Sequence, residues 1–203
     1  MAQRRFVFDY VVSLGPSCLP GLQARKFFPR HQRLNNPFTS QYTPTDALIA
    51  YFDSDFRGMF ERDDLYVRDQ DGFIGNRRYG TFHPHEFPEG LDSYDTARSR
   101  HEHLCAKLRT MIDRPDAALL FVTYAAGERE IEIEDAIRRR APNLAFRLLN
   151  IPHPHPGHVD LWRVPQPEWQ EAFSMAKRQW GPRSLTGHAR QQLRRFASHI
   201  SQL

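Results

Sequence analysis

The order of apolar runs in this chain predicts an α/β domain: three layers with a mainly parallel central sheet and C-terminal helices. Three observations carry that expectation. Phe8 to Leu14, Ala117 to Tyr124 and Leu144 to Ile151 are apolar runs of strand length. The latter two are nearly continuous, as strands covered on both faces are. Helix-period segments separate the runs, and strand alternating with helix is the order of a parallel sheet with crossovers. The expected central strands are Val11–Leu14, Leu119–Tyr124 and Phe146–Asn150.

The elements follow in chain order. Phe8 to Leu14 contains adjacent valines and stops at Gly15-Pro16, which breaks a strand. Leu19 to Phe28 has helical character, with Pro20 restricting where the helix begins. Pro29 and Pro37 bracket a polar loop containing Asn35-Asn36. Thr43 as N-cap, Pro44 at the first helical position and Asp46 two residues on then give a helix start. Ala47, Leu48, Tyr51 and Phe52 recur at helical spacing. From Leu65 to Phe87, Gly72, Gly75 and Gly80 punctuate Phe73, Tyr79 and Phe82, the pattern of irregular chain or short antiparallel strands.

A helix beginning near Ser93 places Ala97, His101, Leu104, Cys105, Leu108, Met111 and Ile112 on one face. Asp113 to Pro115 end it. Gly127 turns the chain into a second helix over about Arg129 to Arg140. Val159 to Val164 is a further candidate strand. The segment from about 167 to 203 is expected to be a helical extension, interrupted at Gly181-Pro182, of a single domain spanning residues 1–203.

The chain has 203 residues and 40% hydrophobic content, enough for one domain with a real core. Two cysteines exclude a disulfide scaffold, so Cys18 and Cys105 read as free thiols in a reducing compartment. The N-terminus is basic but lacks an apolar h-region, and no transmembrane span is present. The expected location is the cytoplasm, with no membrane partner. The net charge of +4 comes from 28 basic residues against 24 acids. That excess is small, and the runs Arg138-Arg139-Arg140 and Arg194-Arg195 read as solvated helix faces. No nucleic-acid-binding pattern appears, so none is expected as partner.

Cys18 is the residue best placed for chemistry. It falls at a strand-to-helix turn, near a helix N-terminus whose unpaired N–H groups and dipole favour a thiolate. An apparent pKa below that of a free thiol is therefore expected. Gly15 and Ser17 are the flanking candidates for oxyanion or ligand binding. The alternative is that Cys18 is a small buried hydrophobe, as Cys105 on its helix stripe should be. A cysteine nucleophile needs a base. His83 and His85, beside a proline-constrained turn, are the candidates, with a surface loop as the alternative. Asp160 or Asn150 would orient the histidine.

His153, His155 and His158, followed by Asp160, suggest a divalent ion. The alternating prolines oppose a compact ligand set and no standard zinc signature is matched, so no metal is expected. Gly15-Pro16-Ser17 lacks the spacing of a phosphate loop, and no cofactor is expected.

The residues Val11-Val12-Ser13-Leu14-Gly15-Pro16-Ser17-Cys18, Pro37-Phe38, Thr43-Pro44, Tyr79-Gly80 and His85-Glu86-Phe87 resemble a bacterial family described as papain-like cysteine peptidases. Its members open with Ser-Leu-Gly-x-x-Cys and carry Pro-Phe-Asp-Trp and His-Asp-Phe-like elements. The resemblance spans about Phe8 to Tyr124. It implies a cysteine hydrolase with Cys18 as nucleophile and His85 as base, acting on a small-molecule, peptide or glycan substrate. Thr39-Ser40 replace the family's Asp-Trp, so an acid is missing there, and Glu86 replaces its aspartate. Asn36-Pro37-Phe38 and the thiol after the first strand are also similar to SGNH-type esterases marked by Gly-Ser-Cys-Phe-Ala. That resemblance implies an acyl esterase on polysaccharide esters. A non-catalytic module binding an anionic sugar or nucleotide is the third expectation.

Overall fold

The computed structural model describes residues 6–124, 126–152 and 166–183. Seven strands and five α-helices lie within them. In chain order they are β1 (Tyr10–Ser13), α1 (Leu19–Phe27), β2 (Arg33–Leu34), α2 (Thr45–Asp53), β3 (Leu65–Val67), β4 (Ile74–Asn76) and β5 (Phe82–His83). Then come α3 (Tyr94–Ile112), β6 (Ala118–Tyr124), α4 (Glu130–Arg140), β7 (Ala145–Ile151) and α5 (Pro167–Gln179). The main sheet has the order β2-β1-β6-β7 and is parallel throughout.

The three layers follow from side-chain alternation along the strands. On one face, Val12, Leu14, Leu119, Phe121, Phe146 and Leu148 pack with residues of α2, α3 and α4. On the other, Val11, Leu120, Val122, Leu149 and Ile151 pack with Leu19, Ala24 and Phe28 and with Trp169, Phe173 and Ala176 of α5. Trp169, Phe173 and Ala176 recur at i, i+4 and i+7, one stripe of a helix. The described segment after α5 returns to the start of the chain. Phe8 N–H donates to Gly181 O at 3.0 Å and Arg183 N–H to Phe8 O at 2.7 Å. The Asp9 carboxylate accepts from Ala118 N–H and from the Arg183 guanidinium.

The predicted antiparallel segment forms a second sheet, β3-β4-β5. Tyr42 joins it to the chain leaving the main sheet: its N–H donates to Phe82 O at 2.8 Å, Phe82 N–H returns a bond at 3.2 Å, and the two rings stack at 4.5 Å. In α3, every residue expected on the apolar stripe is buried, including His101 and Cys105. The α4 arginines lie on an ion-paired surface, Arg138 with Glu134, Arg139 with Asp53 and Arg140 with Asp55 and Asp113.

Two local differences from the sequence reading stand out. First, α2 begins one residue later than expected, with Pro44 at the N-cap. Thr43 lies one residue before that cap, where its Oγ1 accepts from Gln41 Nε2 at 3.0 Å. Second, the proline-bracketed loop contains an edge strand, β2, parallel to β1. The pairing is short, and two residues carry too little periodicity to be read in advance. The strand considered at Val159–Val164 and most of the chain beyond α5 lie outside the described residues.

Candidate functional site

β1 delivers the chain to the carboxyl edge of the sheet, where open parallel sheets place their ligand sites. Gly15 turns it there with φ of +89°, a conformation that favours glycine. The turn is fastened from two sides. Thr123 Oγ1, near the end of β6, donates to Gly15 O at 3.1 Å, and Thr43 N–H donates to Pro16 O at 2.7 Å. Ser17 Oγ accepts from Leu19 N–H at 3.2 Å and lies 3.0 Å from the Tyr124 hydroxyl. Gly15 and Ser17 thus hold the turn together.

Cys18 occupies the N-cap position of α1 and is partly exposed. Its carbonyl accepts the first helical bond from Leu22 N–H at 3.0 Å. The thiol pKa is raised above its ordinary value: burial outweighs the thiol's own backbone N–H and the Arg25 charge, which both favour the anion. This corrects the expectation of a lowered pKa. The N-terminus of α1 supplies fewer donors than its position suggests, since Leu19 N–H is taken by Ser17 and Pro20 has none. Cys105 is fully enclosed, and burial pushes its thiol up to about 12.

His83 and His85 have opposite surroundings. His83 is buried; its Nδ1 lies 3.0 Å from Glu86 Oε2, its Nε2 lies 3.4 Å from Thr81 Oγ1, and its ring meets Phe60 edge-on at 4.9 Å. Glu86 Oε1 accepts from Ser40 Oγ. The Ser40–Glu86–His83–Thr81 chain therefore stitches the second sheet to the segment before α2, and it is closed to solvent at the ring. His85 is exposed. Among the described residues, no hydrogen bond joins Cys18 to a histidine.

The loop carrying His85 is nevertheless tied to the cysteine turn through Tyr42, paired with Phe82, and Thr43, bonded to Pro16. Thr39, where the resemblance led to the expectation of an acid, completes a capping box: Asn36 Oδ1 accepts from the backbone while Asn36 N–H donates to Thr39 Oγ1 at 3.3 Å. Asn150, at the end of β7, binds Glu130 Oε2 and Ala126 N–H. Asp160, His153, His155 and His158 lie outside the described residues. Among the described residues, no cluster of metal-ligating side chains occurs, and no helix is long and apolar enough to cross a membrane.

A feature not expected from the sequence lies beside α1. Arg25, Arg30, Arg33 and Lys107 line one cavity. The signal for it was present: no acidic residue occurs between Asp9 and Asp46. No family model, curated protein or solved structure matches the chain.

Proposed function

We propose that this chain is a cysteine-nucleophile hydrolase, with Cys18 attacking an acyl or peptidyl carbonyl and His85 as its base. The position of Cys18 carries the reading. Partly exposed Cys18 stands where a central parallel strand turns into a helix, at the edge where open parallel sheets generally place ligand sites. In the first step the thiol proton passes to the base and Sγ bonds to the carbonyl carbon. The leaving group departs with a proton, and water then hydrolyses the thioester. Because burial keeps the thiol protonated, a base is needed at neutral pH, and turnover should climb as pH rises.

The test is hydrolysis of a panel of nitrophenyl acyl esters and peptidyl aminocoumarins. Cys18→Ala should abolish turnover, and His85→Ala should reduce it by about a hundredfold, the lower end of general-base contributions. Turnover that survives Cys18→Ala would refute the nucleophile assignment. Loss on Cys18→Ala with full activity in His85→Ala would move the base elsewhere.

A further inference from the structure

A cavity of about 560 Å³ opens between β1, β2, α1, the turn at 37–39 and α3. Four cations line it, Arg25 and Arg30 from the α1 side, Arg33 on β2 and Lys107 on α3, and among the described residues no carboxylate does. Ion pairs elsewhere hold many of the arginines, yet among the described residues none of these four is in one. The Arg33 guanidinium is held below its ordinary pKa by burial and by the charges of Arg25 and Arg30. Crowded like charges cost folding free energy. A bound anion would offset that cost.

Two buried polar atoms point the same way. Ser13 Oγ, on a residue only 5% exposed, and Arg33 Nε have no hydrogen-bond partner among the described residues. Ser13 and Arg33 both line the cavity. Buried polar groups normally hydrogen-bond, here to whatever fills the space. Gly21 keeps the cavity open beside Ser13. A Cβ there would stand 3.1 Å from Thr39 Cγ2 and 3.7 Å from Ser13 Oγ.

The lining also selects the ligand. The volume falls in the range of small-molecule sites and exceeds what a lone phosphate fills. Among the described lining residues none is an aromatic on which a base could stack, while Ser13, Asn35 and Thr39 offer hydroxyl and amide groups. We propose that this cavity binds a phosphorylated sugar or polyol, its phosphate held by Arg25, Arg30, Arg33 and Lys107 and its hydroxyls by Ser13, Asn35 and Thr39. The site stands on residues other than Cys18 and does not rest on the hydrolase reading.

The test is titration calorimetry on the full chain at 0.15 M salt, with glucose 6-phosphate, glucose, inorganic pyrophosphate and AMP as probes. Glucose 6-phosphate should bind once per chain and pyrophosphate should compete with it. Glucose should give no signal, and AMP should bind more weakly than glucose 6-phosphate. The double variant Arg33→Gln, Lys107→Gln should weaken glucose 6-phosphate at least about tenfold, as loss of charged hydrogen bonds does. Its unliganded melting temperature should not fall, because repulsion is relieved. Arg30→Gln, at an exposed side chain, gives a second measure if the double variant folds poorly, and it too should weaken binding. Cys18→Ala should bind as the wild type does. Absence of binding by both glucose 6-phosphate and pyrophosphate, or equal binding in wild type, the double variant and Arg30→Gln, would overturn the site. AMP binding as tightly as glucose 6-phosphate would overturn the sugar assignment.

Discussion

Lowering the pH from 7 to 4 will strip this protein of several kcal/mol of stability, and His101 will account for much of the loss. His101 lies on the buried stripe of α3, with its ring stacked on Phe60 at 4.5 Å and its Nε2 3.3 Å from the Tyr51 hydroxyl. That hydroxyl also receives Gln41 Nε2 at 3.2 Å, so its proton is free for an unprotonated His101 Nε2. Burial, reinforced by nearby His83, pulls the His101 pKa down to about 3. In the unfolded chain the ring takes up its proton near pH 6.5.

The folded pKa is the lower one, so the unfolded state binds more protons as pH falls below the unfolded value. The stabilisation is intact above pH 6.5 and drains away towards pH 3, at about 1.4 kcal/mol per pH unit. Urea denaturation at several pH values measures the slope. His101→Phe keeps the stack on Phe60 and removes the titrating group, so it should flatten the curve between pH 6 and pH 4. An unchanged curve in that variant would show that other groups control acid unfolding.

The second large effect belongs to the central strand. Phe121→Ala should cost about 3–5 kcal/mol, the range for emptying a fully buried aromatic site. Phe121 is 0% exposed, and its ring meets Phe52 of α2 at 6.2 Å and Phe146 of β7 at 5.7 Å. Truncation therefore opens a cavity between the sheet and its covering helices. Ile131→Ala, at a side chain 70% exposed on α4, should change stability by less than about 0.5 kcal/mol. Equal costs in the two variants would contradict the placement of the core.

What could be read from the sequence was the part governed by periodicity. The run Ala117 to Tyr124 announced a strand buried on both faces, and the spacing from Ala97 to Ile112 announced the inner face of α3. Parallel order followed from the helices between strands. Pairings set at long range were invisible. Nothing in His83 or Glu86 alone says that they meet, or that Ser40, distant in sequence, donates to the same carboxylate. Lys107 joins Arg25, Arg30 and Arg33 only because α3 packs beside the β2 edge. The environment of Cys18 was half legible. Its place at the turn came from Gly15-Pro16, whereas its titration depends on burial that a helix-terminus argument does not contain.

The proposed hydrolysis requires Cys18 to be the open, reacting thiol of the two. Native protein treated with iodoacetamide from pH 6 to pH 10, and mapped by mass spectrometry, tests this most directly. Cys18 should be modified first, at a rate that keeps rising past the midpoint of an ordinary thiol, because burial raises its pKa. Cys105, closed within the core and titrating near 12, should stay unmodified until the chain unfolds. Equal labelling of both thiols, or protection of Cys18 in the native state, would contradict the role proposed for it as nucleophile.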